Sequence, residues 1–257
     1  MVIMAYGFLS INDWGDYQIS DSYMNLSFKY KGTSPLLRTE IYIGGFGIGN
    51  ITLPMASVTV NAPGYTPILA IKTQDPTHTA YTISMAREPG TDNYRFTIYG
   101  YASPSGHFIT VDYYVFGSET ATDPSNPANT YGLQLYNEVG TLTYNSNNGH
   151  LNIVNNMSLG SPSSGNSVSS TTSLTPGRTY AYICQSQWSN AVYWQYAPGL
   201  SPPWFRYSFI QEIFLNNSGT PSITLNWKAN SYQTTKGATD TNVFTNLMVI
   251  TIDVTGF

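Results

Sequence analysis

"MAYGFLSINDWGDYQISDSYMNLSFKYKG" (residues 4–32) and "TYGLQLYNEVGTLTYNSNNGHLNIVNNMSLG" (residues 130–160) fall into register at a shift of 125 positions. Tyr6-Gly7 then meets Tyr131-Gly132, Asn12 meets Asn137, Gly15 meets Gly140 and Leu26 meets Leu151. Apolar positions agree in kind: Phe8 with Leu133, Ile11 with Tyr136, Trp14 with Val139. Each copy runs through short alternating stretches into an Asn/Gly turn, "NDWG" or "NEVG", and back out, which is the pattern of a β-hairpin. The chain is thus expected to carry one β-module twice.

The ends of the halves also resemble one another. "FITVDYYVFG" (108–117) aligns with "MVITIDVTGF" (248–257) at a shift of 141, which pairs Asp112 with Asp253. The larger shift places some 16 additional residues in the second copy. The Ser/Gly/Pro-rich stretch 155–178 is the expected place for them, and it does not read as a central strand. Between the copies, "GSETATDPSNPANT" has the composition of a linker. The resulting division is a first domain over 1–118, a linker over 119–129 and a second domain over 130–257. Runs such as "TPILAIK", "YRFTIYGYA", "GRTYAYICQS" and "PSITLNWKA" alternate with turn signals, at the strand density of a β-sandwich. The expected fold is all-β, with two tandem sandwiches of immunoglobulin-like or jelly-roll-like type.

Composition supports that class. Of 257 residues only 9% are charged, 14% are aromatic and 21 are Tyr, so the surface is wetted by hydroxyls and amides instead of ions. Tyr, Thr, Val and Ile suit strands. A net charge of −4 without a basic stripe gives no electrostatic footprint for nucleic acid. No apolar run approaches the roughly 20 residues of a membrane helix. "MVIMAYGF" has neither the charged nor the apolar region of a signal peptide, so synthesis and assembly in a cytoplasm are expected. One cysteine, Cys184, excludes an intrachain disulfide framework.

The opening resembles a family of bacteriophage tail proteins that begin Met-x-Tyr-Gly-Leu followed by "xNxxGxxxxDS". Here Met4, Tyr6, Gly7, Asn12 and Gly15 match, Phe8 stands in the place of Leu, and Asp21-Ser22 follow Gly15 one residue later than the pattern has them. The similarity continues through "TPILAIK" and "YRFTIYGYASPSGHFITVDYYVF", covering about the first 117 residues. It implies a structural part of the virion at the tail tip, baseplate or tail fibre, acting in assembly or host-surface attachment, with other tail proteins as partners. Such parts are often trimeric. No catalytic residue carries over, and neither a cofactor nor a metal is implied. The alternative is a free carbohydrate-binding, lectin-like pair of sandwiches. A hydrolase of surface polymers would need two facing carboxylates, which the scarce acidic residues do not offer.

Individual residues give the same balance. His78, His107 and His150 sit in loop-like contexts without metal-ligand spacing. Cys184 reads as a core thiol. "GGFGIGN" (44–50) lacks the Lys-Ser/Thr and helix of a phosphate loop. Asp13 and Asp16 flank a turn and suit turn chemistry. One stretch is aromatic beyond ordinary need: "SQWSNAVYWQYAPGLSPPWFRYSFIQ" (186–211), with Trp188, Tyr193, Trp194, Tyr196, Trp204 and Phe205. Its rings are expected to fill a core or a subunit interface. The competing role is contact with a receptor glycan, by stacking on sugar faces beside Asn and Gln.

Overall fold

A computed structural model describes residues 9–11, 17–20, 25–41, 51–101, 109–118, 133–137, 139–140, 142–145, 148–160, 167–184, 191–196, 204–234 and 247–257. Every regular element among them is a strand. In the first half these are β1 (Leu9–Ile11), β2 (Tyr17–Ser20), β3 (Leu26–Ile41), β4 (Ile51–Asn61), β5 (Ile68–Thr73), β6 (Thr79–Arg87), β7 (Asn93–Tyr101) and β8 (Ile109–Ser118). The second half has β9 (Gln134–Tyr136), β10 (Leu142–Asn145), β11 (Asn152–Leu159), β12 (Val168–Ser173), β13 (Tyr180–Cys184), β14 (Ala191–Tyr196), β15 (Trp204–Asn216), β16 (Ser222–Thr234) and β17 (Leu247–Asp253). The chain is all-β, and among the described residues its sheets are not closed into barrels. The linker expected at 119–129 lies outside the described residues, as do Asp13, Asp16, His107 and "GGFGIGN".

Nine strands form one sheet in the order β11-β17-β13-β5-β8-β3-β4-β7-β6, and four form a second, β12-β16-β15-β14. All ladders are antiparallel. Strand β3 joins two parts of the large sheet, pairing with β8 up to Leu36 and with β4 from Leu37 to Ile41. It runs through Gly32 and Pro35, residues that ordinarily weaken a strand. The Tyr113 ring lies where a Cβ on Gly32 would stand, so glycine is what lets ring and backbone meet.

Within each half the strands pair in the same order. β5-β8-β3 has its counterpart in β13-β17-β11, and β4-β7-β6 has its counterpart in β12-β16-β15. Both outer ladders carry a bulge at the same place. In β3 it falls between Phe28 and Tyr30, and in β11 between Ile153 and Asn155, 125 positions later. Each hairpin of the repeated motif also forms, β1 with β2 and β9 with β10. In the second, Gly140 takes φ +80° and its amide donates to Asn137 O at 2.9 Å. That left-handed backbone explains a Gly at this end of the turn.

The ladders correct the closing-strand alignment. Beside the bulge Phe28 faces Phe116 and Ile153 faces Ile252, so the closing strands correspond at Phe116 to Ile252, 136 positions apart instead of 141. Asp253 therefore takes the place of Gly117, and Asp112 that of Met248. The "ITVD" and "ITID" match misled because alternating strands resemble each other at many offsets. An offset wrong by five also exchanges the two faces. The additional residues likewise lie elsewhere than expected. Ala62 N donates to Asp92 O and Leu174 N to Pro221 O, which matches Ala62 with Leu174, only 112 positions on. The Ser-rich stretch is thus the shorter of the two connections, and it contains β11 and β12, each at a sheet edge. The excess follows β13, where β14 has no counterpart among the described residues of the first half.

The halves meet edge to edge at β13 and β5, with Tyr182 opposite Ile71. One buried cluster spans both: Leu69, Ile71, Phe96, Ile98 and Val111 join Tyr180, Tyr182, Ile213, Leu225 and Val249. A second cluster gathers Ala70, Tyr114 and Phe116 with Ala181, Ile252 and Val254. The far side is drawn in too. Phe28 N donates to Gly149 O (2.6 Å) and Leu151 N to Leu26 O (2.8 Å). The Phe257 ring stacks on Phe28 at 4.5 Å.

Candidate functional site

The described parts of the aromatic stretch, 191–196 and 204–211, belong to two paired strands of the four-stranded sheet. Strand β14 is its outer edge and pairs with β15 through Tyr193↔Tyr207, Trp194↔Arg206, Gln195↔Phe205 and Tyr196↔Trp204. Backbone register thus brings Tyr193, Trp194, Tyr196, Trp204 and Phe205 onto one hairpin, whereas Trp188 lies outside the described residues. Of the hairpin's two strands, β15 corresponds to β6, and β14 has no counterpart among the described residues of the first half.

A second location was not legible in the sequence. Between β11, β12, the turn that leads into β13 and the end of β17 lies an open cleft of about 310 Å³. Asn152 and Asn155 project from β11, Thr172 from β12, Thr175 and Arg178 from the turn, and Asp253 from β17. Val154, Leu174 and the Tyr180 ring supply its apolar surface. The Asp253 side chain is only 9% exposed. Its Oδ2 accepts from Arg178 Nη1 at 3.1 Å and its Oδ1 from the Thr255 amide at 2.9 Å. The guanidinium itself stays half-exposed. Asn155 Nδ2 is buried at the cleft wall without a hydrogen-bond partner.

Hydrogen bonds tie the cleft walls together. Tyr180 is clamped by Asn217, whose Oδ1 accepts from Tyr180 N at 2.7 Å and whose Nδ2 donates to Tyr180 O at 3.3 Å. The Tyr180 hydroxyl donates to Thr175 O at 2.9 Å and so fixes the turn. Sequence reasoning missed the cleft because its residues come from four separated segments. The only signal was the run of Asn, Ser and Thr along two edge strands, which reads equally well as a solvated surface.

The other candidates have structural surroundings. His150 stacks on Tyr144 at 4.4 Å and its Nε2 meets Asn145 O at 2.9 Å. His78 Nε2 stands 3.9 Å from Asp75 Oδ2 within one turn. Cys184 is half-buried against the main core. Among the described residues no three His, Cys, Asp or Glu side chains gather as metal ligands. No helix among them is long and apolar enough to cross a membrane. Compared with protein-family models, with curated proteins and with solved structures, the chain matches none.

Proposed function

We propose that this chain is a structural component of a bacteriophage tail, built from two β-sandwiches that arose by duplication and acting in assembly or host-surface attachment. The tail reading rests on the resemblance of the opening motif. The duplication is supported by the repeated strand order and by bulges 125 positions apart.

The observation that carries an assembly role is the hairpin formed by the repeated motif. Turn tips are normally polar, yet here Val139 is 85% exposed, with Tyr136 and Leu133 also largely exposed. The first copy has Trp14, Ile11 and Phe8 at the matching positions. Apolar residues at a turn tip, found at matching sequence positions in both halves, suit contact with another subunit.

Light scattering on the purified chain tests this. The expected result is a homotrimer that Val139→Asp together with Tyr136→Asp dissociates, with folding retained. A monomer that also fails to bind tail proteins of its phage would overturn the assembly role.

A further inference from the structure

We propose that the cleft between β11, the β12–β13 turn and β17 is a binding site for a neutral pyranose sugar. This site stands on its own geometry and does not depend on the tail reading. The first observation is what occupies the same place in the first half. Counted from the bulges, the pair Asn152↔Asp253 corresponds to Ser27↔Gly117, and Val154 corresponds to Lys29. In the first half the Tyr65 ring lies directly on Gly117, where a Cβ would collide with it. Lys29 Nζ lies over that ring, 5.2 Å from its centre. The chain fills that position with its own aromatic side chain. In the second half Asp253 replaces Gly117, Arg178 reaches it from the turn that corresponds to Tyr65's, and the space is open.

The chemistry of the open copy selects the ligand. Arg178 and Asp253 neutralise each other, so the cleft offers little net attraction to a charged molecule. It offers donors and acceptors together: two Asn amides, Thr hydroxyls, a buried carboxylate and a guanidinium. Asn155 Nδ2 is a buried donor still lacking an acceptor. A group of that kind is costly to leave unmade and strongly favours an incoming hydroxyl oxygen. Val154 and Leu174 give the apolar surface that a pyranose C–H face requires. A volume of about 310 Å³ admits one or two sugar units, whereas larger ligands need more of the usual range. The same chemistry serves a free sugar and a residue of a surface polysaccharide.

Saturation-transfer NMR and titration calorimetry on the full chain test this, with glucose, galactose, N-acetylglucosamine and a neutral bacterial capsular polysaccharide as probes. The expected result is saturable binding of at least one free sugar, with a dissociation constant on the order of 1 mM. The double substitution Arg178→Tyr and Asp253→Gly copies the filled arrangement of the first half and is expected to abolish binding. Asn155→Leu, which removes an unpartnered amide, is expected to weaken it about tenfold with the fold retained by circular dichroism. Should the double variant not fold, Asn155→Leu decides alone. Tighter binding of the polymer than of the free sugar, lost with the same variants, identifies a surface polysaccharide as the source. Failure of every probe to saturate overturns the proposal. So does binding that survives Asn155→Leu undiminished, which would assign the sugar to another part of the chain such as the β14–β15 hairpin.

Discussion

The hydroxyl of Tyr182 is held by the backbone of Ala80, donating to its carbonyl at 2.5 Å and accepting from its amide at 3.3 Å. The two residues are 102 positions apart and fully buried, and they belong to opposite halves of the chain. Removing the hydroxyl strands a buried donor and a buried acceptor. Tyr182→Phe should therefore destabilise the protein by about 2–4 kcal/mol. Urea unfolding should show a lower midpoint with an unchanged slope.

A second bond crosses the same junction. Thr79 Oγ1 accepts from Ile213 N at 2.6 Å in a buried setting. Thr79→Val keeps the shape and removes the acceptor, at an expected cost of about 1–3 kcal/mol. If the junction acts as a unit, Thr79→Val and Tyr182→Phe together will depart from additivity by about 0.5 kcal/mol or more in a double-mutant cycle.

Gly117→Ala tests the filled copy of the cleft. A methyl group there meets the Tyr65 ring, which must leave its place under Lys29. Overpacking of this kind costs about 1–3 kcal/mol. Burial now holds the Tyr65 hydroxyl above the usual tyrosine range, so its release should bring that titration down. Difference spectrophotometry at alkaline pH measures it.

Asp112 lies on the surface of the first half, among Lys72 (3.2 Å), Gln74 (2.8 Å) and Thr33 (3.0 Å). Burial alone would raise its carboxyl, but the hydrogen bonds from Gln74, Thr33 and Lys72, with the charge of Lys72, hold it below its ordinary value. A depressed carboxylate contributes stability above its unfolded value, and this is lost as pH falls through the folded one. Asp112→Asn should destabilise by about 1 kcal/mol or less at neutral pH. Thermal melts of the two proteins should converge as the pH drops through the acidic range.

Gly140 adopts a left-handed backbone at the exposed hairpin tip, with nothing near where a Cβ would stand. Gly140→Ala should therefore cost only the conformational penalty, about 1–2 kcal/mol in a thermal melt. Packing adds nothing to it.

Much of this was legible in the chain itself. The Asn/Gly turns, the alternation around them and the 125-residue repeat follow from local rules, because a turn dictates its own residues and a strand its own period. "NEVG" became a hairpin for that reason. The closing strands were misaligned because "ITVD" and "ITID" report only a two-residue alternation. A bulge, invisible in the sequence, sets their register. Composition marks the Ser-rich stretch as a loop and so as the place for extra residues. Two edge strands with polar faces lie there instead.

By itself the sequence determined the all-β class of structure and its Asn/Gly turns, which depend on residues close together along the chain. Only the tertiary structure decided which strand lies beside which, because antiparallel ladders accept many partners until side chains find room in a common core. It joined β13 to β5 and set Tyr182 against Ala80. It also laid Tyr65 over Gly117 in one half and left Arg178 and Asp253 facing an open cleft in the other. Those differences arise where segments distant in sequence meet, and packing there depends on a pair of side chains that no local pattern brings together.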